Sequence, residues 1–293
     1  YPNFEINGRH LVASQFEKHL IYFKKNYNII SLSEMFRSYQ DVIIPDKKNI
    51  ALTFDDGYVN NLTVVLPILK KYNVPATFFI VSSGLEDNNY VLWPDIIDLI
   101  RKFSGAFEIE IGSHVFQNTH NLFSTELNIS AYDYIKNMGY EREEVIKQLK
   151  LKYNFEKILA QVSSENYAIM SKEQLQLFSQ SPLVEIGSHT HSHYNLGNID
   201  KELVANELLI SKEKIQNIIQ KEVNKIAFPD GSYNENVKKI SIDSGYKNLI
   251  AVSYKCQNDK DDINILPRYT ISNTTTFESN MIQVGLGFER RGF

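Results

Sequence analysis

Short β-rich runs alternate with helical stretches along most of this chain, and that alternation restricts the fold more than any other feature. Strand candidates lie at residues 28–31, 50–54, 76–81, 107–111, 183–186, 225–228 and 249–253. Pro75 stands at the start of one, where its missing N–H does least harm. Helical spacing of apolar residues joins them: Phe16, Leu20 and Phe23 form one stripe, and Leu62, Val65, Leu66, Leu69 and Tyr72 another. Ser14 with Glu17, Ser31 with Glu34 and Ser171 with Gln174 have capping-box spacing. Asp200 suits the N-cap of a long helix carrying Val204, Leu208, Ile215 and Ile219, and Gly245 stops a helix over 234–244. Residues 41–48, with Pro45, read as a loop. The rhythm predicts an α/β fold with a largely parallel sheet, and its repetition favours closure into a barrel.

The regularity falters between residues 86 and 165. There 93–100 reads as a helix and 141–159 as one charged amphipathic helix, with 113–140 as an insertion. No shift in composition marks a boundary, so residues 1–293 are expected to form a single domain with an insertion at about 113–140. Net charge is −4 and the lysines are interspersed with acids, which gives no electrostatic footprint for nucleic acid. No apolar run approaches the roughly 20 residues of a membrane span. The single Cys256 excludes an internal disulfide and fits either a reducing compartment or an exported chain that does without disulfides. Because the chain begins at Tyr1 and not at Met, an N-terminal segment is expected to have been removed, a signal peptide or anchor among the options. Composition therefore leaves the compartment open between cytoplasm and cell envelope.

The chemistry begins at Ala51–Gly57, ALTFDDG. A β-rich run ends in two adjacent acids and a glycine, which places two carboxylates at the mouth of a buried strand. Neighbouring strand residues leave in opposite directions, so one acid can take a metal while the other faces a substrate. If the sheet is a barrel, active residues belong just past the C-terminal ends of strands. Asp55, Asp56, His114, His189, Pro229 and Asp230 all fall at such places.

The second constellation is Glu185–Leu196, EIGSHTHSHYNL. His189 and His193 are four apart, and on a helical turn that spacing brings both imidazoles to one face. Two histidines and one carboxylate leave coordination positions open, as a hydrolytic zinc site requires. His191, between them, is expected to point away. The plain alternative is a polar loop that is rich in histidine by chance.

Together these stretches resemble the polysaccharide deacetylase family, the NodB-homology or carbohydrate esterase 4 enzymes. The resemblance rests on TFDDG at 53–57, HTxxH at 189–193 and FPDGSYN at 228–234, and it covers about residues 14–271. It implies a distorted (β/α)7 TIM-like barrel with an insertion before the HTxxH motif. It also implies removal of acetyl groups from a sugar, with Asp55 as general base and Asp56, His189 and His193 as metal ligands. Zinc is the default ion, and the donor set also accepts cobalt, nickel or iron. The turn Pro229-Asp230-Gly231 is where an oxyanion-binding N–H is expected, since glycine lets the backbone come close to a ligand. Asp230 stands where many relatives have an aromatic residue. An acid there either hydrogen-bonds sugar hydroxyls or caps the turn.

Three departures from the family pattern bear on function. The arginine that in many relatives precedes the third-motif proline is missing, with Ala227 in about its place. Arg268, in LPRYTI, resembles an arginine of the branch acting on exopolysaccharides and surface glycans. It is expected to pair with Asp55 and hold it ionised, the alternative being a surface arginine at a strand end. Second, no histidine follows His193, so the late histidine that serves many relatives as general acid is absent. His114, His120, a water, and Asp55 returning its proton are the candidates for that role. EIGSH also occurs at 110–114, and this first copy reads as a strand end with a surface histidine. Third, the insertion carries Phe116, Phe123, Tyr132, Tyr134 and Tyr140, which either pack it together or stack on sugar rings, packing being favoured. Trp93 has the same two readings.

The reading is a metal-dependent N-deacetylase of an acetamido sugar in a bacterial polysaccharide or glycan precursor. The rivals are a deacylase of another small amide or ester, and a glycan-binding pseudoenzyme that lacks the late acid.

Overall fold

The computed structural model describes residues 11–40, 48–87, 89–119 and 122–289. Two compact units emerge: the first combines the segments up to residue 88 and from residue 169 onward, and the second comprises 89–168. The 113–140 stretch lies inside the second.

The first unit opens with helix α1 (Ala13–Asn26), which buries Leu20 and Phe23. Its start is uncapped: Val12 occupies the N-cap, and the Glu17 carboxylate instead accepts hydrogen bonds from Lys71 and Tyr72, so the expected Ser14 capping box does not form. Strand β1 (Asn28–Ile29) leads to α2 (Leu32–Gln40), where Ser31 and Glu34 do form the reciprocal cap. The expected loop over 41–48 lies outside the described residues except for Lys48. Strands β2 (Asn49–Ile50) and β3 (Thr53–Phe54) follow. The next helix starts as a π-helical turn (Asn61–Val65) and continues as α3 (Leu66–Tyr72), before the fully buried β4 (Ala76–Ile80).

The second unit holds α4 (Trp93–Phe103) and an antiparallel meander of β5 (Glu108–Ile111), β6 (His114–Gln117), β7 (Phe123–Ser124) and β8 (Ile129–Ser130). Three helices complete it: α5 (Ala131–Lys136), α6 (Glu141–Lys152) and α7 (Phe155–Leu159). The single helix expected over 141–159 is thus two, because Asn154 takes a left-handed conformation (φ 46°) and turns the chain. Phe116 is buried against Tyr134, and Tyr132 hydrogen-bonds Asp98 beside the Trp93 ring, while Tyr140 is exposed.

The chain then resumes the first unit with α8 (Lys172–Phe178), capped by Ser171 and Gln174, and β9 (Val184–Ser188). Helix α9 (Lys201–Ile219), capped by Asp200, precedes β10 (Lys225–Ala227). Last come α10 (Glu235–Asp243), β11 (Asn248–Ala251), β12 (Ile265–Pro267) and α11 (Phe277–Glu289).

Six of these strands make one parallel sheet in the order β12-β11-β10-β9-β4-β3, a curled half-barrel flanked by helices, as the (β/α) alternation predicts. Strands β1 and β2 pair separately. Successive side chains of β4 serve different layers. Phe78 stacks on Phe54 and joins the large cluster toward α8 and α9, whereas Phe79 joins Ala227, Ile250 and Leu266 on the opposite face, against Leu32 and Phe36 of α2. That second face carries the polar residues described next.

Candidate metal-assisted hydrolytic site

The chain leaves β3 through a tight turn. Asp56 (φ 72°) and Gly57 (φ 83°) are both left-handed, and a Cβ on Gly57 would lie 3.1 Å from Ile80. Past this turn the adjacent carboxylates meet different partners, although both lie within 3.7 Å of His189 Nε2.

Asp55 faces the open seam of the sheet. Arg268, one residue past β12, donates from Nη1 to Asp55 Oδ1 at 2.7 Å and from Nη2 to Oδ2, while Nη1 also reaches Thr53 Oγ1 at 3.2 Å. Thr53 and Asp55 can share one guanidinium because residues two apart on a strand point the same way. The backbone N–H of Arg268 donates to the Ala251 carbonyl at 2.9 Å, and its guanidinium lies 5.8 Å from the centre of the Phe79 ring. Since β12 and β3 are the two edges of the parallel sheet, this fork joins by side chains what the backbone ladder leaves open. Burial pushes the Asp55 carboxyl up, but neighbouring positive charge, Arg268 foremost, outweighs it and holds the group down at about 2.

Asp56 meets the two histidines. Its Oδ1 lies 3.6 Å from His189 Nε2 and 3.5 Å from His193 Nε2, and His189 Nε2 is 3.7 Å from Asp55 Oδ2. One ligand atom from each of Asp56, His189 and His193 lies within 4.8 Å of the others. Ligands about 2.1 Å from a tetrahedral ion stand roughly 3.4 Å apart, so these separations suit a shared cation. The buried His189 bonds the Ala227 carbonyl through Nδ1 at 2.8 Å, which fixes the tautomer and turns Nε2 toward the acids. Burial is the chief cause that lowers the His189 pKa and favours the neutral, ligating imidazole.

The loop that delivers both histidines is not a helical turn. Thr190 (φ 68°) and His193 (φ 58°) are left-handed, and the His193 N–H donates to Thr190 Oγ1 at 3.1 Å. Convergence therefore comes from an irregular loop that bends twice. That loop is tied to the end of β4, with Ser82 N–H donating to the Thr190 carbonyl and Ser83 N–H to that of His191. His191 turns from the cluster to Ser82 Oγ, 2.9 Å from its Nδ1.

At the end of β10, Pro229–Gly231 forms a 3-10 turn with Asp230 left-handed (φ 54°). The Gly231 and Ser232 N–H groups donate to Phe228 and Pro229 carbonyls, and Pro229 has no N–H. This leaves the Asp230 N–H outside the turn's own bonding. A Cβ on Gly231 would sit 2.7 Å from Val252, so the turn lies hard against the start of the β11 loop.

The first EIGSH copy has no part in this cluster. His114 begins β6 in the second unit, directly after a hairpin turn at Gly112, and is not at the end of a parallel strand as expected. It lies 3.9 Å from the Glu126 carboxylate and against the Tyr134 ring. His120 lies outside the described residues. Thr53, Thr190 and the Ala227 carbonyl were not anticipated, although the two-residue spacing of Thr53 from Asp55 was a usable signal.

A cavity of about 500 Å³ is lined by Asp55, Asp56, Asn61, Arg268 and Tyr269 together with apolar side chains of α1, β12 and α11.

Comparison with known proteins agrees with this picture. The polysaccharide deacetylase family model matches residues 43–153 and 123–249. A Staphylococcus aureus poly-beta-1,6-N-acetyl-D-glucosamine N-deacetylase is 26% identical over 186 residues, 61% of this chain and 61% of that protein. The chain spans about three fifths of the length of the curated relatives it matches over a comparable stretch. Among solved structures, a de-N-acetylase from Aggregatibacter actinomycetemcomitans superposes with a TM-score of 0.59 at 19% identity, covering 96% of this chain and 92% of that one. The Streptococcus pyogenes deacetylase PplD, solved with acetate, superposes with a TM-score of 0.56 at 18% identity, covering 92% and 85%. With the family matched over most of its length and the same fold, the chain belongs to the polysaccharide deacetylase family.

Proposed function

We propose that this chain is a metal-dependent hydrolase that removes N-acetyl groups from an acetamido sugar in a bacterial polysaccharide or glycan precursor. The observation that carries the reading is the division of the Asp-Asp pair: Asp56 joins His189 and His193 in a cation-sized cluster, and Asp55 is held ionised by Arg268. A divalent ion in that cluster, zinc by default with cobalt, nickel or iron as alternatives, supplies Lewis acidity toward the acetyl carbonyl and makes a water acidic enough to attack.

The chain's own residues do the rest. Asp55 accepts a proton from the attacking water as its oxygen bonds the acetyl carbon. The Asp230 N–H, in the turn with Pro229 and Gly231, is the donor available to the developing oxyanion. When the carbon–nitrogen bond breaks, the proton taken by Asp55 goes to the leaving amine, giving a free amino sugar and acetate. Asp55 is a far stronger acid than an ammonium, so this return is downhill and needs no late histidine. Arg268 keeps Asp55 ionised before the attack and holds it aimed throughout.

The name of the Staphylococcus aureus relative makes β-1,6-linked N-acetylglucosamine oligomers the first substrates to try. Metal-stripped protein with and without added zinc or cobalt should release acetate from at least one N-acetylated glycan only when the metal is present. Asp55→Asn should lose about 10²–10⁴-fold in turnover and still bind the metal stoichiometrically. Activity that survives Asp55→Asn would refute the assignment of the base.

A further inference from the structure

Asn61 opens the π-helical turn that follows the Asp55-Asp56-Gly57 corner, and it lines the seam cavity together with both acids. Its backbone is spent locally, the N–H donating to the Tyr58 carbonyl at 2.9 Å. Its side chain is only 4% exposed, yet among the described residues the Nδ2 donor has no hydrogen-bond partner. A buried amide donor without a partner costs stability, and proteins retain such groups where something else fills the bond. The backbone here is unusual in the same place, since π-turns are rare and concentrate at functional sites. Both observations meet at Asn61, six residues beyond Asp55.

We propose that Asn61 is a substrate-positioning residue whose amide N–H donates to a sugar hydroxyl seated in the seam cavity. The chemistry of the group selects the ligand. The unpartnered Nδ2 is a donor, and a hydroxyl oxygen is a compact neutral acceptor for it. The walls suit a sugar ring as well: Tyr269, partly exposed beside Arg268, offers an aromatic face, and the Asp55 carboxylate marks the reacting end. This inference rests on the proposed sugar deacetylase function, and Asn61 acts on the position of the substrate and not on the reacting bond.

The test compares wild type with Asn61→Leu, which keeps the branched outline and removes the polar group, and with Asn61→Ala in case the bulkier leucine overpacks. Thermal melting and steady-state acetate release from N-acetylglucosamine oligomers and their monodeoxy analogues are measured on each. Asn61→Leu should melt about 2 °C higher, because an unsatisfied buried amide is gone. Its KM should rise about five- to tenfold with kcat little changed, and the preference of wild type for the parent sugar over one deoxy analogue should vanish. A lower melting temperature for Asn61→Leu would make the amide a structural one and overturn the proposal, as would an unchanged KM and an unchanged deoxy preference. If wild type releases no acetate from any oligomer, the functional reading fails instead, and the sign of the melting shift alone still decides whether Asn61 is an unsatisfied site residue.

Discussion

Two carboxylates that are neighbours in sequence meet different partners across a left-handed Asp56: Asp55 takes the Arg268 fork and Asp56 joins the two histidines, and the proposed division of roles rests on that. The duty of Asp55 depends on Arg268. Without the guanidinium, burial would act on the carboxyl with only the imidazoles to oppose it, and its pKa would rise from about 2. Arg268→Met should therefore shift the acidic limb of the pH–activity profile to higher pH, because a base protonated at higher pH is lost earlier on acidification. Arg268→Lys should restore only part of the shift, since an ammonium cannot fork onto both oxygens. Stability follows the same sign. A carboxyl depressed from 3.8 to about 2 contributes stability above its unfolded value and loses it as pH falls through the folded one. The mutant's acid-unfolding midpoint should thus move up relative to its stability at neutral pH. An unmoved limb in Arg268→Met would remove the arginine from the mechanism.

At the scale of elements, the site depends on a strand that accepts no side chain at one point. Gly187 in β9 would place a Cβ 2.6 Å from the Phe79 ring and 3.1 Å from the Lys225 carbonyl, and Phe79 in turn lies under Arg268. Gly187→Ala should cost about 1–3 kcal/mol in denaturant unfolding, as overpacking does, and should also lower kcat by tilting the ring beneath the guanidinium. A variant with wild-type stability and turnover would show that the strands can part freely there. The same pentapeptide, EIGSH, shows how much local sequence can tell. At 185–189 it is a central parallel strand with the histidine at its end; at 110–114 it is a hairpin whose glycine is left-handed (φ 62°). Nothing within the five residues separates the two, because neighbouring strands and covering helices make the choice. The parallel alternation, the caps at Ser31, Ser171 and Asp200, and the membership of the Asp-His-His cluster were legible, since each rests on periodicity or a short motif. The histidine loop was not, because left-handed Thr190 and His193 carry no glycine to announce them. The break at Asn154 was hidden in the same way, and so was the π-turn at Asn61.

For the whole molecule, the cluster of Asp56, His189 and His193 gathers side chains from two regions of the sheet, the turn after β3 and the loop after β9. Unlike a small zinc domain, this fold does not need an ion to exist: a large apolar core covers one face of the sheet, from Leu20 through Phe78 and Ile226 to Ile265, and a smaller cluster around Phe79 covers the other. A bound cation should therefore stabilise an already folded protein by mass action, since it engages the native cluster and not the unfolded chain. At a hundredfold excess over its dissociation constant the gain is about 2.7 kcal/mol, which for a chain of this size is roughly 5 °C or more in Tm. Chelation should lower Tm by that amount while leaving the far-ultraviolet circular dichroism of the native state unchanged, and added zinc or cobalt should restore it. His193→Gln should start near the chelated Tm and gain little from added metal, because the loss of one of the three proposed ligands weakens binding more than it disturbs a half-buried loop. Arg268→Met should behave in the opposite way, with a lower Tm in both states but the full increment on metal addition, because the guanidinium fastens the seam and does not contact the cation cluster. If wild type and His193→Gln responded identically to chelator and metal, any ion bound would lie elsewhere and the cluster would be an ordinary hydrogen-bonded group.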